Sequence, residues 1–218
     1  MTATTLDIFG RLAELRLMAV VVIDSASDAE PRRDALCAAG LTCVEVTLRT
    51  PAALESLRIL SQRAELCVGA GTVVRAHQVD EVVEAGAQFV VSPGTSASVV
   101  LASQGAGVPV FPGVATATEI QTALELGVRD VKFFPAETLG GVRTLAALSA
   151  PFPDVRFLPT GGIGPTTLPD YLEHPAVLAV GGSWMATRAT LATKDFASVR
   201  RLAADARAIA TSREPTDV

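Results

Sequence analysis

The sequence predicts an α/β protein, a single-domain (β/α)8 barrel of the TIM type preceded by a short N-terminal helix. Three observations predict it. Short apolar runs alternate with alanine- and leucine-rich helical stretches along most of the 218 residues. The runs are apolar almost without interruption, as strands buried on both faces of a parallel sheet are. They number eight, the count that closes a parallel sheet into a barrel. An open doubly wound sheet is the alternative. It is disfavoured because no G-x-G-x-x-G follows the first strand.

The elements follow in order. Leu6, Phe9 and Leu12 trace one helical face, so residues 5–16 read as an amphipathic helix. The first strand is Ala19–Ile23, with a helix from Asp28 to Ala39. The second is Thr42–Thr47, and Pro51 suits the first turn of the next helix. The third is Leu66–Val68, turning through Gly69-Ala70-Gly71-Thr72 into a helix that ends at Ala85. The fourth, Phe89–Val91, turns at Ser92-Pro93-Gly94. The fifth, Val108–Phe111, turns at Pro112-Gly113. The sixth covers Arg129–Phe134 and stops at Pro135, with a helix from Glu137 to Leu148. The seventh, Arg156–Leu158, meets Thr160-Gly161-Gly162, and Pro165 opens a short helix. The eighth, Val177–Val180, turns at Gly181-Gly182-Ser183. A last helix spans Phe196–Ile209, and residues 211–218 form a polar tail expected to fray.

Composition narrows the function. Apolar residues make up 49% and charged residues 19%, a soluble globular balance. A net charge of −5 gives no support for nucleic-acid or anionic-membrane partners. The apolar run from Leu17 to Ile23 is too short for a bilayer, which needs roughly 20 residues, and Asp7 and Glu14 do not fit an export signal. Cys37, Cys43 and Cys67 are an odd number without C-x-x-C spacing, as in a cytoplasmic protein with reduced thiols. His77 and His174 have no metal-ligand spacing, so no metal site is expected.

The chemistry centres on Lys132. It lies inside an apolar strand of a chain that has only two lysines, Lys132 and Lys194, and otherwise uses arginine. Burying an ammonium is costly. Unlike arginine, lysine can give up its proton and attack a carbonyl. Lys132 is therefore a candidate Schiff-base former; the alternative is a strand-end lysine that reaches solvent or pairs with Asp130. Strand two places Cys43, Glu45 and Thr47 on one face by its period of two. Glu45 then points inward near the C-terminal end of its strand, with Arg49 just beyond. Lys132 holds the matching place on strand six, with Phe134 on the same face. Thr72 and Pro93 close strands three and four. Alternatives stand beside each: a structural Glu45–Lys132 ion pair, an ordinary loop arginine, a threonine helix cap, a turn-shaping proline. The pairs Gly161-Gly162 (after Thr160) and Gly181-Gly182 (before Ser183) let backbone approach a ligand and offer N–H groups to an oxyanion, after the two strands where such barrels hold phosphate. A tight turn also explains each pair alone.

These segments resemble the 2-keto-3-deoxy-6-phosphogluconate (KDPG) aldolases and 4-hydroxy-2-oxoglutarate (KHG) aldolases, class I aldolases on β/α barrels. The resemblance rests on Val44-Glu45-Val46-Thr47-Leu48-Arg49-Thr50, Gly69-Ala70-Gly71-Thr72-Val73, Gly86-Ala87-Gln88-Phe89, Val91-Ser92-Pro93-Gly94, Lys132-Phe133-Phe134-Pro135-Ala136-Glu137, Pro159-Thr160-Gly161-Gly162-Ile163 and Gly181-Gly182-Ser183-Trp184, in the family's order along nearly the whole chain. It implies Lys132 as the Schiff-base lysine and Glu45 as general acid/base. It implies Arg49 and Thr72 at a pyruvate carboxylate, Gly161, Gly162 and Ser183 at a phosphate, and Pro93 and Phe134 lining the pocket. It also implies a homotrimer in the cytoplasm, a small 2-keto acid substrate, and chemistry that needs no metal or cofactor because the iminium serves as electron sink. The chain departs from the family at Met18-Ala19-Val20, where Val-Pro-Val is usual, at Thr95 for leucine and at Leu158 for cysteine. These departures bear on pocket shape and substrate, not on the catalytic set. Cleavage of unphosphorylated KHG, or a non-catalytic sugar-phosphate-binding barrel, are the alternatives.

Overall fold

The structure, a computed structural model, describes residues 7–187, 190 and 193–212. Among the described residues, nine strand segments, all parallel, form two sheets. The larger has the order β5-β4-β3-β2-β1-β9, and the smaller has the order β6-β7-β8. The strands are β1 (Leu17–Val21), β2 (Cys43–Thr47), β3 (Cys67–Gly71), β4 (Val90–Val91), β5 (Val110–Phe111), β6 (Gly113–Val114), β7 (Asp130–Phe133), β8 (Arg156–Phe157) and β9 (Val180–Gly182). Two isolated parallel bridges, Phe157 with Val177 and Thr160 with Gly181, link the chain around β8 to that around β9. The architecture is thus α/β with a curled parallel sheet, and every strand's C-terminal end faces the same way.

Strand alternation sorts the apolar side chains into two clusters. Leu17, Ala19 and Val21 of β1, Val44 and Val46 of β2, and Val131 and Phe133 of β7 face the helices. Met18, Val20, Cys43, Cys67, Phe89, Phe111 and Leu158 form a second cluster with Ile8, Leu12 and Leu15 of α1 (Ile8–Leu15). That helix therefore packs against the inner face of the strands. Asp7 caps it by accepting from the Gly10 N–H at 3.0 Å. Residues 5 and 6 of the expected helix lie outside the described residues.

Several boundaries differ from expectation, each for a physical reason. The fifth strand starts two residues later than expected, and the turn expected at Pro112-Gly113 is a one-residue break into a further strand segment: Pro112 has no N–H to donate, β5 pairs with β4 on one side, and β6 pairs with β7 on the other. The first strand begins two residues earlier and ends before Val22 and Ile23. The carbonyls at its end are taken by side chains instead: Val21 by Thr47, Val22 by Arg32 and Ile23 by Thr50. Gly69, Gly71, Gly181 and Gly182 are strand residues rather than turns, paired with Glu45, Thr47, Met18 and Ala19 respectively. The helix expected from Glu137 is interrupted by Gly140 at φ +104°, leaving a 3-10 turn (Glu137–Leu139) before α7 (Gly141–Ser149). The helix expected at Pro165 is α8 (Leu168–Leu172), and the helix expected at Pro51 is α3 (Ala53–Ser61). The final helix, α9, runs over Phe196–Thr211, and residues 213–218 of the expected tail lie outside the described residues. Helices α2 (Ala29–Ala38), α4 (His77–Glu84), α5 (Ala97–Gly105) and α6 (Ala117–Glu125) complete the layer. No helix among the described residues is long and apolar enough to cross a membrane.

Candidate active site

The Lys132 Nζ lies 3.1 Å from the Glu45 Oε1 and 3.4 Å from Oε2. Glu45 belongs to β2 of the larger sheet and Lys132 to β7 of the smaller, so the contact joins the two sheets across the inner cluster. The Glu45 side chain is 0% exposed and that of Lys132 is 7% exposed. Removing both charges from water costs several kcal/mol per ion, and their attraction offsets this only with good geometry. The pair is therefore weak evidence of stabilisation and stronger evidence that something else requires it. The alternative of a Lys132–Asp130 pair is not what forms: Asp130 accepts from the Arg156 Nε at 2.6 Å.

Glycine makes room for the carboxylate. A Cβ on Gly71 would stand 2.0 Å from the Glu45 Oε1. Gly71 thus acts as the floor on which Glu45 rests, a role that sequence spacing did not signal. A Gly71→Ala chain is expected to fold yet lose activity about 10²-fold, the scale of a one-ångström misplacement. Steady-state rates beside those of Gly105→Ala, whose Cβ would meet nothing within 4 Å, check it.

Beyond Gly71 the chain turns sharply. Thr72 has φ +60°, a left-handed conformation rare for a β-branched residue. Such strain costs on the order of 1–3 kcal/mol and gathers at functional sites. Thr72 is not the cap of α4; Ala76 holds that position. The Leu48 N–H donates to the Gly71 carbonyl at 2.8 Å, so the loop carrying exposed Arg49 runs beside Thr72. The carbonyl of Pro93 lies against Gly113, where a Cβ would be 2.2 Å away, and Gly113 is the register partner of Lys132.

On the other side of Lys132, its ammonium sits 5.2 Å from the centre of the Phe134 ring, within cation–π range. Phe134 in turn packs on Gly161, whose φ of +105° favours glycine, with 3.2 Å from a built Cβ to the ring. Thr160 is buried and donates to the Leu158 carbonyl at 3.3 Å, and its side chain fills the space left by Gly181. Gly182 is buried under the Trp184 ring, and Ser183 is exposed at the end of β9. Contacts thus connect Gly71, Glu45, Lys132, Phe134 and Gly161 in one chain. Arg49, Thr72, Pro93, Gly162 and Ser183 stand at the same C-terminal edge. Among the described residues, no group of three or more His, Cys, Asp or Glu could hold a metal ion.

A buried amine against a buried carboxylate, at the C-terminal edge of a parallel α/β sheet, defines a protein equipped for carbonyl chemistry. Comparison with known proteins gives the family. A family model described as "Aldolase: KDPG and KHG aldolase" matches residues 8–202, and the chain belongs to that family. A curated relative, the 2-dehydro-3-deoxy-phosphogluconate aldolase of Treponema pallidum, is 47% identical over 198 residues, which cover 90% of this chain and 94% of the relative. Among solved structures, the 2-keto-3-deoxy-6-phosphogluconate aldolase of Zymomonas mobilis ZM4 with 3-phosphoglycerate has a TM-score of 0.87 and 43% identity, covering 93% of this chain and 96% of that one. The KDPG aldolase of Legionella pneumophila, with pyruvate captured as a covalent carbinolamine, has a TM-score of 0.86 and 38% identity, covering 90% and 96%.

Proposed function

We propose that this chain is a class I aldolase that cleaves 2-dehydro-3-deoxy-6-phosphogluconate reversibly to pyruvate and glyceraldehyde 3-phosphate. The observation that carries the reading is the 3.1 Å contact between a nearly buried lysine and a fully buried glutamate. The Legionella relative's carbinolamine supports a covalent route, and the Zymomonas relative's 3-phosphoglycerate supports a phosphorylated ligand.

In this reading the carboxylate accepts the lysine's proton across the contact. The neutral Lys132 Nζ attacks the C2 ketone, Glu45 gives the proton it took to the departing carbinolamine hydroxyl, water leaves, and an iminium forms with Glu45 again a carboxylate. The C3–C4 bonding electrons flow into the iminium while Glu45 takes the proton of the C4 hydroxyl, directly or through one water. Glyceraldehyde 3-phosphate leaves, Glu45 returns a proton to the enamine carbon, and water releases pyruvate and free Lys132. Arg49 and Thr72 hold the pyruvate carboxylate, and Pro93, Phe134 and Thr160 shape the pocket. Gly161, Gly162, Gly181, Gly182 and Ser183 form the phosphate seat. The two sheets then act as one closed (β/α)8 domain, a reading supported by the two bridges and by the single residue, Pro112, that separates β5 of the larger sheet from β6 of the smaller. A homotrimer in the cytoplasm fits the free thiols of Cys37, Cys43 and Cys67 and the apolar surface at exposed Val74 and Leu101.

The test is incubation with pyruvate and borohydride followed by peptide mass spectrometry. Reduction freezes an imine as a stable adduct. The adduct is expected on Lys132 and absent from Lys194, whose side chain is 69% exposed and 3.7 Å from Asp28. A folded protein with no adduct on Lys132 would remove the covalent mechanism.

A further inference from the structure

We propose that the hydrogen bond between Tyr171 and Glu137 is a specificity device that sets the Gly161-Gly162 turn for a substrate ending in a phosphate. The inference rests on the reading of that turn as part of the phosphate seat.

Glu137 follows the strand of Lys132 by a few residues, and its backbone is stitched to the glycine turn. The Ala136 N–H donates to the Thr160 carbonyl at 2.9 Å, and the Glu137 N–H donates to the Gly161 carbonyl at 3.0 Å. The side chain of Glu137 then lies under Gly162: a Cβ there would be 2.7 Å from the Glu137 Cβ, and Gly162 has φ +83°. A carboxylate in that place is a problem for an anion site, since like charges at short range repel. Tyr171 answers it. It comes from α8, just past the turn, is 1% exposed, and donates its hydroxyl to the Glu137 Oε1 at 2.6 Å. A short bond to a charged acceptor is of the stronger kind. Burial, and then the Glu137 carboxylate, push the tyrosine pKa well above its ordinary value, so the hydroxyl remains a donor throughout the neutral range. The bond therefore pins the carboxylate, partly offsets its charge and holds α8 against the turn. Tyr171 and Glu137 are positioning residues: they act through Gly161 and Gly162.

The experiment compares KM and kcat for KDPG and for unphosphorylated KHG in the wild-type chain, Tyr171→Phe, and Tyr171→Phe with Glu137→Gln. Tyr171→Phe is expected to raise KM for KDPG about tenfold, the scale of one lost hydrogen bond to a charged group, with little change in kcat. KM for KHG is expected to move less than twofold. The double variant, which removes the charge, is expected to recover part of the KDPG loss. Pyruvate trapping on Lys132 in each variant checks that the amine end of the site is intact. Equal changes for both substrates, or no change for KDPG, would overturn the inference alone. A wild-type chain that does not discriminate the two substrates would overturn the phosphate seat, and the inference with it.

Discussion

Lys132→Arg is expected to abolish turnover, by at least about 10⁴-fold, as losing a covalent nucleophile does elsewhere. The substitution is stringent because it keeps what a structural ion pair would need. Arginine carries the same charge, pairs well with a carboxylate and suits buried pairs better than lysine does. If the 3.1 Å contact with Glu45 served only to join the two sheets, arginine would preserve it. A guanidinium, however, does not lose its proton in a protein and forms no imine with a ketone. Retention of a few per cent of the wild-type rate would sink the covalent role. Two controls separate chemistry from folding. The thermal midpoint shows whether the larger head is tolerated against Phe134, 5.2 Å from the ammonium. Lys194→Arg is expected to leave activity intact, because that side chain sits in solvent beside Asp28 and an arginine reaches the same partner.

How much of this was legible in the sequence depends on how local each signal is. Glu45 and Lys132 announced themselves through strand alternation and, for Lys132, through the rarity of lysine in the chain; 87 residues apart, they meet because both occupy inward positions near strand ends. The α/β class was legible for the same reason, since a continuous apolar run is a local pattern. Glycine was misread where its use is non-local. Gly71 and Gly181 looked like turn residues, yet each is in a strand and lacks a side chain so that Glu45 or Thr160 can have one there. The Tyr171–Glu137 bond spans 34 residues and has no periodicity to betray it. The end of β1 is not legible because the carbonyls of Val22 and Ile23, just past it, go to Arg32 and Thr50, side chains whose reach cannot be read from spacing alone. Strain at Thr72 was hidden as well, because a threonine after a glycine reads as a helix cap.

Glu45→Gln is expected to separate the two halves of the reaction. Glutamine has nearly the same shape, so it fits the seat above Gly71, and its amide oxygen still accepts from the Lys132 Nζ. What it loses is the charge and the ability to take and return a proton. Cleavage turnover is therefore expected to fall by about 10²–10⁴-fold, the usual contribution of a general acid/base. The imine with pyruvate is still expected to form, because Lys132 remains the nucleophile, and borohydride trapping on a long incubation should reach the wild-type extent. Removing one partner of a buried ion pair can cost about 3–5 kcal/mol when the other charge is left alone. Glutamine leaves a dipole there, so a smaller loss is expected in the thermal midpoint, and rates are to be compared well below it. The pattern of outcomes is decisive. Slow cleavage with full trapping assigns Glu45 to proton transfer at C4 and at the enamine carbon. Loss of trapping as well moves its role back to the activation of Lys132. Unchanged cleavage would mean that the buried carboxylate is structural, and that the proton acceptor for the C4 hydroxyl has to be sought among the other groups at the C-terminal edge of the sheet.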